Sequence, residues 1–290
     1  MFAFTHQVLS GLAMGSVYAC VALAIVMIYQ ATRLVNFAQG EMAMFSTYLA
    51  WAMIDAGVPY WAAFFLTVVV SFVLGAAIER LIIRRFEGAP VLTVVIVFIG
   101  LLVIINSVAG YLFTYTIKTF ESPFPETSRI GAGYISPHEM GAIGVTLAML
   151  ALIYAFFRYT PLGLAMRAAA QNPTSARLVG IRVGRMLAVG WGLAAAIGAI
   201  AGMMAAPIVY LDPNMMGGVL LYGFAAALLG GIDNPWGAAL GGFIVGVLEN
   251  IAGAYLVGSE IKLSVALAII IGVLVAKPSG LFGRVIVTRV

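Results

Sequence analysis

The chain has 290 residues, 63% of them hydrophobic and only 9% charged, with a formal net charge of +4. Soluble domains carry about 25% charged residues, so this composition excludes a water-soluble globule: there is too little polar surface to wrap a core. A helix needs about 20 apolar residues to cross about 30 Å of hydrocarbon, and this length allows roughly eight to ten crossings.

The first residues, Met1 to Gln7, hold no Lys or Arg. They lack the basic start of a cleaved signal peptide, so the first apolar segment is expected to be retained. Long unbroken apolar runs such as Trp61 to Ile83 favour helices over the alternating strands of a membrane barrel. In chain order, the hydropathy predicts spans at Val8 to Tyr29, Phe37 to Ile54, Tyr60 to Ile83, Val91 to Tyr111, Gly141 to Phe157, Met186 to Tyr210, Gly217 to Leu229, Trp236 to Tyr255 and Ile261 to Ala276. The fold class is therefore an all-α polytopic transmembrane bundle, read as one transmembrane domain over residues 1–290. The second span begins among polar residues and the seventh is short, so both are candidates for broken or re-entrant helices. Such helices are tolerated in a bilayer where protein or a wet cavity satisfies their backbone.

Basic residues collect in three connections: Arg80, Arg84 and Arg85; Arg158 to Arg185, with Arg167 and Arg177 between; and Lys277, Arg284 and Arg289 in the tail. Positively charged loops stay in the cytoplasm. With nine spans the N-terminus then lies outside and the C-terminus inside. Thr119 to His138 becomes the one substantial extracytoplasmic loop. The lone cysteine, Cys20, sits in an apolar run and is expected to pack as a small apolar residue.

Residues capable of chemistry are sparse. His6 and His138 stand alone, with no metal-binding or nucleophile pattern, so no catalytic or metal site is predicted. The three lysines follow Ile, Ile and Ala and cannot close a phosphate-binding P-loop; ATP-driven work would need separate subunits. Glycines recur four residues apart in Gly11 and Gly15, Gly198 and Gly202, Gly237 and Gly241, and Gly242 and Gly246, a spacing that lets membrane helices approach closely. Glu249 is an ionisable group at bilayer depth, which by default suggests a function. Its two readings are a carboxyl facing a polar cavity or a partner helix and setting its electrostatics, or a structural one, protonated or hydrogen-bonded to Asn106 or to a backbone group. Asn36, Gln39, Gly40 and Glu41, with Asn214, are further candidates for a substrate path, because broken helix ends offer oriented dipoles to a small solute.

The connection 158–185 is long for a chain that keeps its other loops short. Asn172 suits an N-cap, Pro173 the first helical position and Gly180 the C-cap, which predicts a short capped cytoplasmic helix. Its surroundings suit lipid headgroups or a groove on another protein.

Several segments together resemble the membrane subunit of bacterial branched-chain amino acid ABC importers, in the hydrophobic amino acid uptake family. They are Gly11-Leu12-Ala13-Met14-Gly15-Ser16-Val17-Tyr18-Ala19, Val35 to Met42, Thr160-Pro161-Leu162-Gly163 running into Arg167-Ala168, Ala176 to Gly180-Ile181, Gly230-Gly231 with Gly237-Ala238, and Lys277 to Gly283. One departure is Gln39, where the family pattern suggests His. The resemblance implies a multi-pass permease of the bacterial inner membrane with a cytoplasmic C-terminus, not itself an enzyme, binding no cofactor. It implies a second homologous membrane subunit, two cytoplasmic ATPase subunits that bind ATP-Mg, a periplasmic substrate-binding protein and membrane lipid as partners, and no nucleic acid. Gly163, Arg167, Asn172, Pro173, Ala176, Arg177 and Gly180 then belong to the element that couples to the ATPases. The rival reading is an ion-coupled secondary transporter or channel for a small solute, which would need no docking helix.

Overall fold

The structure, a computed structural model, describes residues 2–124, 135–258 and 261–283. The middle of the predicted extracytoplasmic loop, and Arg284 and Arg289 of the basic tail, lie outside the described residues. Eleven α-helices follow one another in the described residues: α1 (Phe2–Thr32), α2 (Gln39–Asp55), α3 (Tyr60–Leu81), α4 (Val91–Phe113), α5 (Pro137–Tyr159), α6 (Pro161–Gln171), α7 (Pro173–Leu178), α8 (Val183–Val209), α9 (Met216–Gly230), α10 (Pro235–Ala252) and α11 (Lys262–Ala276). A 3-10 turn, Ile83–Phe86, follows α3, and a π-helical turn, Gly253–Val257, follows α10.

Each predicted span is a helix. Among the described residues six helical stretches, those of α1, α3, α4, α5, α8 and α10, are long and apolar enough to cross a membrane. Helices α2, α9 and α11 have 17, 15 and 15 residues, or about 22 to 26 Å at 1.5 Å per residue. The second and seventh spans are thus short, as their sequences suggest, and α11 joins them. The chain is a polytopic helical bundle.

Proline marks where many of these helices begin. Thr160, Asn172 and Asn234 each cap a helix whose first residue is proline: their side-chain oxygens accept from the N–H groups of Gly163, Ser175, and Trp236 and Gly237 at 3.0 to 3.2 Å. A missing proline N–H costs nothing at that position. At α5 the pair Ser136 and Glu139 forms a capping box: the Ser136 hydroxyl accepts from Glu139 N at 3.1 Å, and the Glu139 carboxylate accepts from Ser136 N at 2.8 Å.

Contacts divide the chain into two compact units. One comprises Met1–Val26, Ser122–Gly144 and Gly217–Val290, the other Met27–Glu121 and Val145–Met216. In the first, α1 and α10 meet through glycine: Gly11 and Gly15 lie against the backbone of Gly246, Phe243 and Gly242, and Gly242 against Ala19. Gly230 of α9 meets Gly237 of α10 in the same way. The segment after α11 closes this unit. Leu281 N donates to Leu229 O and Phe282 N to Gly230 O, which satisfies the last carbonyls of α9, while Gly280 turns the chain at φ +76°.

In the second unit α8 carries the packing. Trp191 is fully buried, Gly75 of α3 rests on the Trp191 carbonyl and on Ala195, and Gly192 faces Phe72. Gly198 and Gly202 admit Gln39, Ala43 and Thr47 of α2. Close glycine approach is how membrane helices gain dispersion contact when lipid offers no hydrophobic drive. Cys20 is buried.

In a helix, glycine to alanine ordinarily stabilises by up to about 1 kcal/mol. At Gly246 the sign should reverse, because a Cβ would enter the backbone of Gly11 and Gly15; overpacking of this kind costs about 1 to 3 kcal/mol. Gly246→Ala should lower the thermal midpoint in detergent, and Gly144→Ala, whose Cβ would meet open space, should hold or raise it. Equal midpoints for the two variants would contradict the packing described.

Candidate functional site

The connection between α5 and α8 folds as an elbow of two short helices. Thr160 ends α5 by donating its hydroxyl to Phe156 O at 2.6 Å and begins α6 by accepting from Gly163 N. Gly163 lies so close to the Phe156 and Phe157 backbone that a Cβ would not fit. Helix α6 ends at Asn172, which caps α7, and Pro173 takes the first position. Gly180 closes α7 at φ +85°, and Ile181 N donates to Ala176 O at 3.0 Å. This is the predicted capped helix. A second capped helix, α6, precedes it.

A small apolar seat holds the elbow: Ala169 of α6, Ala176 of α7 and Val183 of α8 are buried together, with Ile181, Met186 and Leu187 packed against them. Arg167 and Arg177 are exposed, as are Leu178 and Val179, the latter two at 84% and 76%. The elbow thus presents cations and bare aliphatic side chains on a rigidly capped tip.

Elsewhere in the same unit lie most of the candidate path residues. Asn36 is fully buried, and its Oδ1 accepts from Ala38 N at 3.0 Å, an Asx turn that starts α2. Gln39 is buried and donates through Nε2 to Ala194 O of α8 at 3.1 Å. Gly40 is buried in the first turn. Glu41, 9% exposed, accepts from Asn106 Nδ2 of α4 at 3.2 Å. The same nitrogen faces Pro213 O at 2.8 Å and Asn214 Oδ1 at 3.3 Å. Glu41 and Asn214, far apart in sequence, therefore meet at Asn106.

One turn along α2, Met42, Phe45 and Ser46 line a cavity of about 160 Å³ with Ser71, Ile105 and Ala195. Its walls are apolar, because its two hydroxyls are spent internally: Ser71 donates to Ser46 at 2.7 Å, and Ser46 to Met42 O at 2.8 Å.

Glu249 belongs to the other unit, and its partners differ from those expected. Asn106 bonds Glu41 and not Glu249. Glu249 is 3% exposed, pairs with Lys262 Nζ of α11 at 2.8 Å and accepts from the Tyr18 hydroxyl of α1 at 2.7 Å. The Tyr18 ring stacks on Tyr222 of α9 with centroids 4.8 Å apart. Asn250 donates to Gln7. The π turn after α10 precedes the start of α11, where Lys262 stands. In sequence Lys262 reads as a loop residue, which hides this pair; its signal is a lone lysine at the start of an apolar run.

The pair yields a direct test. A buried carboxylate deprived of its cation costs about 1 to 3 kcal/mol, so Lys262→Gln should lower the thermal midpoint. Adding Glu249→Gln to Lys262→Gln should recover most of that loss. Additive effects of the two changes would show that the ion pair contributes nothing to the fold.

The family described as branched-chain amino acid transport system / permease component matches residues 7–274. The high-affinity branched-chain amino acid transport system permease protein LivH of Escherichia coli (strain K12) is 31% identical, over 99% of this chain and 98% of its own length. BraD of Pseudomonas aeruginosa, a permease protein of the same description, is 29% identical over 100% and 99%. The probable LivH of Methanocaldococcus jannaschii is 25% identical over 90% and 87%. Among solved structures, PsaBC from Streptococcus pneumoniae in complex with Fab is similar over 90% of this chain and 88% of that one, at 13% identity and a TM-score of 0.48. A match over nearly the whole length, on a bundle of apolar helices, makes this chain a member of the branched-chain amino acid transport permease family.

Proposed function

We propose that the chain is the membrane-spanning subunit of an ATP-driven importer for branched-chain or other small hydrophobic amino acids. In this reading it pairs with a second related membrane subunit, engages two cytoplasmic ATPase subunits that bind ATP-Mg, and receives substrate from a periplasmic binding protein. It resides in the bacterial inner membrane with its C-terminus in the cytoplasm. Family membership supports the substrate class, since the relatives are permeases of branched-chain amino acid systems. The apolar cavity beside α2 supports it too, because it suits an aliphatic side chain.

The observation that carries the ATPase coupling is the elbow. Its helices are capped at both starts, its seat is buried against the beginning of α8, and its tip offers Arg167, Arg177, Leu178 and Val179 to a partner. A docked element must be stiff to transmit displacement, and capping supplies the stiffness. ATP binding in the partner subunits would favour one membrane state over another through this contact, and a ligand shifts such an equilibrium only by its differential affinity for the two states.

The test is charge reversal. Arg167→Glu with Arg177→Glu should leave the assembled protein in the membrane yet uncouple ATP hydrolysis from uptake, reducing uptake per ATP by about tenfold, the effect of roughly 1.4 kcal/mol of lost docking. Reconstituted liposomes with all subunits and the binding protein provide the assay. Full coupling in the double variant would refute the elbow's role.

A further inference from the structure

We propose that the cluster around Asn106 receives the α-ammonium of the transported amino acid. The proposal rests on reading the chain as an amino acid permease, and it adds the group and the residues that bind it.

Acceptors outnumber protons at this cluster. The Asn106 amide has two N–H donors, but three acceptors face its nitrogen: Glu41 Oε2 at 3.2 Å, Pro213 O at 2.8 Å and Asn214 Oδ1 at 3.3 Å. Turning the amide would set its oxygen against the carboxylate, so the orientation is fixed. The Tyr115 hydroxyl, which also meets this amide, goes to Asn106 Oδ1 at 3.3 Å and relieves none of the three. At least one acceptor therefore lacks a proton, and a carboxylate can accept several. With Glu41 ionised, the cluster is short of donors and short of positive charge. Glu79 and Glu249 each have a basic partner, Arg84 and Lys262, whereas Glu41 has the neutral Asn106 amide and the positive end of the α2 dipole, about half a charge.

An α-ammonium brings three donors and one positive charge. It meets the deficit at Glu41, Asn214 Oδ1 and the Pro213 carbonyl, while Asn106 holds the carboxylate in place. The three acceptors converge on one nitrogen, that of Asn106, at N–H···O distances of 2.8 to 3.3 Å. Asn214 and Tyr115 are exposed.

Backbone strain marks the same place. Thr114 ends α4 at φ 65°, ψ 166°, a region that β-branched residues avoid and that concentrates at functional sites. This turn sends Tyr115 back along α4, where its ring lies on Gly110, a position with no room for a Cβ. Tyr115 thereby reaches Asn106 and covers one side of the cluster.

The experiment uses the complete transporter in liposomes with L-leucine. Glu41→Gln keeps the volume and an acceptor for Asn106, so a structural role would leave it near wild type. An ammonium role predicts a fall in uptake of about tenfold or more, with the amount of assembled complex unchanged and Glu41→Asp partly active. In parallel, thiol labelling of Thr116→Cys in the assembled complex reads occupancy without transport. L-leucine should slow labelling, and 4-methylpentanoate, its counterpart without the ammonium, should not.

Uptake by Glu41→Gln within about twofold of wild type, or equal protection by the two probes, would overturn the proposal. So would loss of wild-type uptake on replacing sodium by potassium, which would assign the cluster to a metal cation. Failure of the wild-type complex to couple ATP to leucine uptake would instead count against the importer reading itself.

Discussion

Hydrocarbon cannot hydrogen-bond, and that single constraint organises this chain: most of its buried polar groups turn to partners in protein. The threonine and serine hydroxyls of α2 turn back to carbonyls one turn earlier, Ser46 to Met42 and Thr47 to Ala43. Gln39 crosses to a backbone carbonyl of α8, and Asn250 to Gln7. The last carbonyls of α9 are met by N–H groups of Leu281 and Phe282. Where a charge is buried, a counter-charge comes with it, as for Glu249 and Lys262 or Glu79 and Arg84. Glu41 stands out against that background because its partner is a neutral amide.

The same constraint explains why glycine is so frequent. Association in lipid draws on dispersion and on backbone proximity, and both demand helices without side chains at the crossing points. Three of the segments that carry the family resemblance converge for this reason in one unit. Gly230 meets Gly237, Gly231 lies against Ser279 and Gly283, and Gly280 turns the chain against Gly231. What looks in sequence like scattered small residues is one contact that terminates α9 and anchors the segment after α11.

Much of the fold is readable in the sequence because its signals are local and physical. Nine apolar runs of near-correct length correspond to nine helices, and Asn172-Pro173 with Gly180 specifies α7 by capping chemistry alone. The same Thr-Pro signal at Thr160-Pro161 starts α6, yet the connection looks like one helix in sequence, because Asn172 reads there only as a beginning. Ser136 and Glu139 form a legible capping box that the apolar pattern overshadows. The site is less legible. Asn36, Gln39 and Glu41 share one helix start and can be grouped by spacing, but no local rule brings Asn106 to Glu41, or Lys262 to Glu249. Those pairings depend on which helices cross, and hydropathy says that a helix is buried without saying against what.

Geometry within the second unit connects the elbow to the polar cluster by packed matter. The seat of Ala169, Ala176 and Val183 joins α6 and α7 to the first turn of α8. Helix α8 then lies on α3 through Gly75 and Gly192, and on α2 through Gly198 and Gly202, with Gln39 bonded to Ala194. Glu41 follows two residues later. The α8 glycines bring its backbone directly against Gln39, Ala43 and Thr47 of α2, so a shift of α8 is passed to α2 as a body or taken up by the Gln39 side chain and its bond. If the elbow is where cytoplasmic force enters, the first polar groups it reaches along this route are Gln39 and Glu41. The acceptor-rich cluster is then positioned to change its grip on a cation as α2 moves against α4, which places coupling and recognition on the two ends of one short helix-to-helix path.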